Sequence, residues 1–536
     1  MTFRRAIGSV VIAGLAGGCQ SLAASPIEGA GAVVQPRLVV LLVLDQWPEW
    51  AFEAKRPHLH AGGFDRLLAE GAWHVGRHPS AVTLTAPGHA LLGTGQTTAT
   101  SGIVGNEWWH RDAAKALKSV EAEDGAVTAK WLRVPGLGDA LAAANTGAKA
   151  VSVSLKDRAA VLPLGHAGTA IWYSPRTVDW QSSGSPAWLA DWNTTRPIAF
   201  HLHDIWVPLD PAQLAALSGR HDYQAGEVGE QGFGATFPHA LDRTKNPAAA
   251  IFAAPVGNQI VLDTALAAVD GEGLGRGGTP DLLVVSLSAH DYIAHGWGHE
   301  SWEAWDGELR LDQQLAAFLA GLDQRVGADG WAMLVTSDHG AAHLPELSGG
   351  GRLRYAQIEA VANAAAERVL GPGHWIADPK FPTLYLSEAA RDDARAPEAI
   401  AAIVAALRAQ IGIGRVERTA DLLGNCGPRP AEDRALCLGL DPERAGEVVY
   451  QPARNWLFED DDEPLATSHG SFYDYDQEVP VIELAPGRAR HAAATAPDAV
   501  RVPIEDVAGL LAGWLGVTAP RDLPRASAVS TRAVPR

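Results

Sequence analysis

Uninterrupted apolar runs set the rhythm of this chain. Leu38–Leu44 reads LVVLLVL between Arg37 and Asp45, and comparable runs recur at residues 151–155, 282–287, 332–336 and 479–484. Runs this short, rich in β-branched residues, predict strands buried on both faces, as in a parallel sheet. Between the third and fourth runs, residues 303–323 place Leu311, Leu315, Phe318 and Leu322 on one face of a helix, the spacing of an amphipathic segment. Ile504, Val507, Leu510, Leu511 and Trp514 predict a last amphipathic helix. Strands alternating with such helices predict an α/β fold, a doubly wound and mostly parallel central sheet flanked by helices.

Two stretches break the alternation. Residues 160–278 are rich in Trp, Pro, Gly and His, and residues 346–455 hold two Ala-rich helical stretches around the strand-like PTLYL. Both predict insertions over the active edge of the sheet, the first a cap or lid and the second a small α/β subdomain. The catalytic core is therefore expected in three parts, 36–159, 279–345 and 456–519, before a tail at 520–536 of disordered composition. At the other end, Arg4 and Arg5 precede AIGSVVIAGLAGG, which is too short and Gly-rich to span a bilayer, so residues 1–23 predict an export signal. Its end reads two ways. Leu15-Ala16-Gly17-Gly18 before Cys19 resembles a lipoprotein cleavage box, whereas Ser21-Leu22-Ala23 suits ordinary cleavage. The expected location is periplasmic or secreted, with an outer-membrane lipoprotein anchored at Cys19 as the other form.

Of the 536 residues, 47% are hydrophobic, enough for a large core. The formal charge of -19 and the lack of any basic run argue against a nucleic-acid polymer as partner. Export changes the reading of the cysteines. Ten residues separate Cys426 from Cys437, and in an oxidising compartment a disulfide closing that loop is expected, contributing roughly 3 kcal/mol. Two buried thiols are the plainer alternative, and zinc ligation would lack a CxxC pair or a flanking His.

Chemistry-bearing residues cluster at the ends of the apolar runs, where an open parallel sheet binds its ligands. Asp45 ends the first run. Asp291 and His295, in DLLVVSLSAHDYIAH, are four apart, one helical turn, so both can face one metal; Asp338 and His339 adjoin in AMLVTSDHG, and His469 lies in ATSHGS. D-x-x-x-H, D-H-G and S-H-G in succession form a carboxylate and imidazole set suited to zinc. Thr85, in TLTAPGHALLGTG, stands where Pro87 and Gly88 open a helix, and a helix N-terminus favours phosphate. Its hydroxyl needs a metal or a base to become a nucleophile; taken alone, TxTxPGH is also an ordinary helix start. Lys156 and Arg158, flanking Asp157 at the end of VSVSL, suit the extra charge of a phosphate monoester; a surface charge cluster is the plainer reading. Together these segments describe a two-metal enzyme of phosphate transfer.

With the motifs in this order, the chain resembles the alkaline phosphatase superfamily and, within it, the phosphate-irrepressible alkaline phosphatases that use threonine as nucleophile. The resemblance runs from Asp45 to the terminal helix, and its spacing matches, 40 residues from Asp45 to Thr85 and 21 from Thr85 to Asn106. It implies the superfamily fold and two Zn2+ per subunit, one held by Asp45, Thr85, Asp338 and His339 and the other by Asp291, His295 and His469. It implies Asn106, in GIVGNEWW, as an amide donor to a phosphoryl oxygen. It also implies that Lys156 and Arg158 match the K-x-R of the family's monoesterases, which the nucleotide pyrophosphatase/phosphodiesterase cousins lack. The expected activity is that of a monomeric, zinc-dependent alkaline phosphatase hydrolysing small phosphate monoesters through a phosphothreonine. A phosphodiesterase or nucleotide pyrophosphatase on the same scaffold is the nearest alternative, and a non-catalytic zinc-binding surface protein is a more distant one. A sulfatase would need C/S-x-P-x-R where Thr85-Ala86-Pro87-Gly88 stands.

Other residues are expected to be structural. His89 and His343 read as packing groups or supports for ligands, and His299 receives no role. Trp108 and Trp109 read as core rather than as a stacking surface for an aromatic leaving group. The acidic run at 459–463 lacks the alternating spacing of a calcium loop and reads as a solvated face.

Overall fold

The computed structural model describes residues 35–460, 462–486 and 501–524. The expected leader with Cys19 lies outside them, as do residues 525–536 of the expected tail. The first residues of that tail are ordered: Pro520–Asp522 form a 3-10 turn in which Pro520 is buried, and Arg521 reaches Asp506 at 3.1 Å.

The nine strands of the main sheet are β1 (Leu38–Leu44), β2 (Ala72–Arg77), β3 (Ala150–Ser154), β4 (Thr169–Ser174), β5 (Asp179–Ser182), β6 (Asp281–Leu287), β7 (Trp331–Thr336), β8 (Glu478–Leu484) and β9 (Arg501–Pro503). They lie in the order β9-β2-β8-β7-β1-β6-β3-β4-β5. Central β1 pairs in parallel with β6 and β7, and the parallel pairing continues through β3 to β4. β8 runs antiparallel to both neighbours, and β5 closes the far edge as a hairpin with β4.

All seven residues of β1 are buried, because both of its faces are covered. Leu38, Val40, Leu42 and Leu44 join a core with apolar residues of the helices Pro255–Glu272 and Trp302–Val326, the second of which contributes Leu311, Leu315, Phe318 and Leu322. Val39, Leu41 and Val43 point the other way, into a core with the helices Thr85–Thr94 and Val507–Leu515. A strand with alternating side chains and two apolar layers leaves no position for a polar residue. No single helix among the described residues is long and apolar enough to cross a membrane.

The stretch 160–278 is only partly an insertion. It supplies β4 and β5, which extend the sheet, and the helix Pro255–Glu272, which buries Ile260, Val261 and Leu262 beneath it. Its Trp-rich composition concealed a pair of edge strands, because aromatic residues suit strands as readily as loops. Residues 346–455 contain an antiparallel four-stranded sheet, Ile376–Asp378, Thr383–Leu386, Val448–Pro452 and Ile413–Arg418. The helices Tyr355–Leu370 and Ala396–Arg408 join it in a separate core. Cys426 and Cys437 are disulfide-bonded, with Cα atoms 5.6 Å apart. Cys437 lies in the helix Ala431–Leu438, whose Ala435 carbonyl accepts the Ala81 N–H at 2.9 Å, four residues before Thr85.

The acidic run departs from a solvated face at its start. Glu459 is buried at the end of the strand Trp456–Glu459, 3.8 Å from Arg352 and 3.7 Å from Arg354, and Asp460 lies 3.4 Å from Lys380. These carboxylates join the subdomain to its surroundings.

The burial pattern sets a test. Leu42 is fully buried and Ile411 is 82% exposed, so Leu42→Ala is expected to destabilise by about 2–5 kcal/mol, and Ile411→Ala by less than about 0.5 kcal/mol. Thermal unfolding of the two variants checks this; equal shifts would contradict the two-layer core.

Candidate active site

Strand register assembles the site. Leu44 stands opposite Leu287 and Val43 opposite Thr336, so Asp45, the helix after β6 and the turn after β7 emerge together at one edge. Ser154 of β3 faces Ser286, which brings Lys156 to the same edge. β8 is antiparallel, so His469, upstream of it, arrives there too. β2 is antiparallel to β8, with Arg77 opposite Glu478, and its end feeds the loop that leads to Thr85.

Thr85 opens the helix Thr85–Thr94 and is buried. Gly88, one turn on, lies against the chain at Asp338; a Cβ there would stand 2.2 Å from the Asp338 carbonyl oxygen, so only glycine permits this approach. His89 spans the same junction. Its Nδ1 is 2.9 Å from the Thr85 carbonyl oxygen and 3.0 Å from Asp338 Oδ2, and its Nε2 is 2.9 Å from Ser286 Oγ. Asn106 is tied to the same helix start: its Oδ1 accepts the Ala86 N–H at 2.8 Å, which leaves the NH2 end as a donor.

Asp291 lies in the first turn of the helix Ala289–Trp297, with His295 one turn later, and a carboxylate there also gains from the helix dipole. Asp291, His295 and His469 bring ligand atoms within 4.8 Å of one another, and so do Asp45, Asp291 and His339. Asp291 thus belongs to both groups, where the resemblance gives it to one. Asp338 adjoins the second group, its Oδ2 3.4 Å from His339 Nε2.

The three imidazoles are oriented alike. His295 Nδ1 donates to the Thr467 carbonyl at 2.8 Å, His339 Nδ1 to the Gly340 carbonyl at 3.0 Å and His469 Nδ1 to the Thr83 carbonyl at 2.7 Å. Each bond fixes a tautomer whose Nε2 lone pair faces the cluster, the arrangement of metal-binding histidines. Asp45 Oδ1 and His339 Nε2 are buried and have no hydrogen-bond partner among the described residues. Acceptors this close do not satisfy one another, whereas a cation satisfies both, so the donor set fits a divalent metal.

Electrostatics agree. Burial, followed by the charges of Asp291 and Asp338, holds the Asp45 carboxyl well above the usual range. Burial also pushes Asp291 upward, but Lys156 and His295 outweigh it and hold that carboxyl well below. At Asp338 the same burial is outweighed by His339 and His89.

Lys156, expected at the phosphate, has its Nζ 2.6 Å from both Asp45 Oδ2 and Asp291 Oδ2. It is drawn there by two carboxylates in a low-dielectric pocket. Arg158 is half-buried, and its Nε has no hydrogen-bond partner among the described residues. His343 packs against Trp50 with ring centroids 3.8 Å apart and planes tilted by 34°, and bonds Glu300 at 2.8 Å. His299 is buried beside His290 at 5.4 Å. Trp108 is buried under His110 at 4.8 Å and Arg444 at 5.5 Å, and Trp109 packs at the edge of the same core.

Gln46 escaped the sequence reading. It is fully buried, takes a left-handed φ of 60° and places its amide between Asp291 and His295. Nothing in its residue type marks that role; only its position after Asp45 could have drawn attention.

Residues 39–472 match the family described as type I phosphodiesterase / nucleotide pyrophosphatase. Among curated relatives, alkaline phosphatase PhoV of Synechococcus elongatus is 35% identical over 335 residues, 58% of this chain and 60% of that protein. A Myroides odoratus protein named calcium-transporting ATPase is 30% identical over 486 residues, 84% of this chain and 88% of its own length. The crystal structure of alkaline phosphatase PafA superposes with a TM-score of 0.81 at 24% identity, covering 93% of this chain and 98% of that one. The chain therefore belongs to the type I phosphodiesterase / nucleotide pyrophosphatase family, within the alkaline phosphatase superfamily.

Proposed function

We propose that this protein is an exported, zinc-dependent phosphomonoesterase that passes phosphate through Thr85. The observation that carries this reading is the pair of carboxylate and imidazole groups that share Asp291, set beside a buried threonine that opens a helix. Asp45, Asp338 and His339 on one side and Asp291, His295 and His469 on the other would hold the metals, which when bound supply Lewis-acid charge at the attacking and leaving oxygens.

The chain's own residues do the rest. Thr85 Oγ attacks phosphorus in line as the ester oxygen leaves, which forms a phosphothreonine; water then cleaves that bond and releases phosphate. The helix N-terminus behind Thr85 and the NH2 of Asn106 face charge that builds on the phosphoryl oxygens. Arg158 supplies a guanidinium fork, with an unpaired donor, for the terminal oxygens of a monoester. Lys156, held by Asp45 and Asp291, adds positive potential behind it.

Chelation is expected to abolish hydrolysis, and added zinc to restore it; full turnover by protein shown to be metal-free by elemental analysis would refute the reading. Thr85→Ala should remove the labelled phosphoenzyme, and Asn106→Ala should raise the barrier by roughly 2–4 kcal/mol, read from kcat/KM. Label trapped on another residue would reassign the nucleophile. Because Lys156 also neutralises Asp45 and Asp291, Arg158→Ala is the cleaner probe of selectivity. It should lower kcat/KM by at least about tenfold for a monoester and much less for a diester of the same leaving group. Equal losses would favour a diesterase.

A further inference from the structure

We infer that Gln46 is a positioning residue that locks the two ligand groups of the site into one geometry, and this rests on the metal-dependent reading above. Gln46 touches both groups. Its backbone N–H donates to Asp338 Oδ1 at 3.2 Å, and its side-chain Nε2 lies 2.7 Å from Asp291 Oδ1 and 3.1 Å from His295 Nε2. Asp291, held through Oδ1 by Gln46 and through Oδ2 by Lys156, accepts from both, and His295 Nδ1 donates to the Thr467 carbonyl, which leaves Nε2 as an acceptor that a bound metal would take over. The amide orientation is therefore fixed by chemistry: the opposite one would press Oε1 against a carboxylate and a lone pair. Oε1 itself is buried without a partner among the described residues.

The backbone supports the same role. Gln46 is one of the described non-glycine residues with positive φ, at 60°, and it is fully buried. A left-handed conformation is unfavourable for a residue with a Cβ, so surrounding contacts must hold it. They do so on the next residue, where the Trp47 N–H bonds Ser337 Oγ at 2.9 Å and the His339 carbonyl oxygen at 3.1 Å. The turn out of β1 is thus clamped to the turn out of β7, and the Gln46 side chain carries the constraint across to the helix after β6. Asp291 has each oxygen occupied, Oδ1 by Gln46 and Oδ2 by Lys156, which fixes the plane of the one carboxylate common to both groups.

Two variants separate the amide from the backbone. Gln46→Met keeps length and left-handed strain but has no donor; Gln46→Gly relieves the strain and also has no donor. Both are purified, loaded with zinc and titrated with a chelator, with bound metal read by elemental analysis and thermal midpoints recorded with and without zinc. Both are expected to hold zinc roughly 10–100-fold more weakly than the wild type, while Gln46→Gly keeps or raises the metal-free midpoint. Wild-type affinity in both variants, or in Gln46→Gly alone, overturns the inference. Wild-type protein that holds no zinc in the same titration overturns the metal-dependent reading instead, and the positioning role falls with it.

Discussion

Three carboxylates, Asp45, Asp291 and Asp338, share one pocket from which water is almost excluded, and the rest of the site is arranged around their mutual repulsion. Charges at such separations repel strongly in a low-dielectric interior. Left to relax, they would move apart or take up protons, and the upward push on Asp45 shows that tendency. They stay together because each is fixed to a different strand end of one rigid sheet, with β1 flanked by β6 and β7. Positive charge then collects where the backbone cannot yield: Lys156 on two of them and a helix N-terminus at Asp291. The fully apolar sequence of β1 is the structural condition for this, since a strand buried on both faces is hard to displace.

Topology explains how distant segments reach that pocket. Parallel strands deliver their carboxyl ends to one edge, but a site with ligands on every side also needs residues from the opposite direction. The reversal at β8 meets the need, because an antiparallel strand presents its amino end there and so brings in His469. The same reversal makes β2 point toward the site and feed Thr85. The two arrivals are bonded to each other, with His469 Nδ1 on the Thr83 carbonyl and Thr83 Oγ1 on the Ser471 carbonyl at 3.0 Å. The loop that leads to Thr85 and the loop of His469 are therefore tied together.

Much of this was legible in the sequence, and for identifiable reasons. Apolar runs that end in Asp or His mark strand termini, so β1, β6 and β7 and the residues after them could be read directly, as could β3 and β8 from their apolar runs and the helix stripe from Leu311 to Leu322. β2 could not, because AWHVGR is half-exposed and mixes polar with apolar positions. β4 and β5 were hidden in a Trp-rich stretch that composition alone assigned to a lid. The position of Lys156 was unreadable since it depends on two carboxylates brought near by pairings of long sequence range. Gln46 was invisible for a different reason: its contribution comes from a backbone dihedral and two side-chain bonds, and a periodic pattern records neither.

The two long stretches 160–278 and 346–455 each grip a segment that bears a candidate ligand. In the first, the Val228 and Gly229 N–H groups both donate to the Gly296 carbonyl, at 3.0 and 2.9 Å, one residue past His295. In the subdomain, Phe381 packs on Gly470, beside His469, so closely that a Cβ there would stand 2.7 Å from its ring. Gly470 also has a φ of 124°, so two independent constraints call for glycine at that point. Lys380, next to Phe381, pairs with Glu107 at 3.0 Å, one residue past Asn106. Movement of the subdomain would accordingly be felt at His469 and Asn106 together, and movement of the first insertion at His295. Elements that seem dispensable from composition are thus coupled to the candidate site by direct contact, so sequence change in these stretches can reach the site without altering any of its own residues.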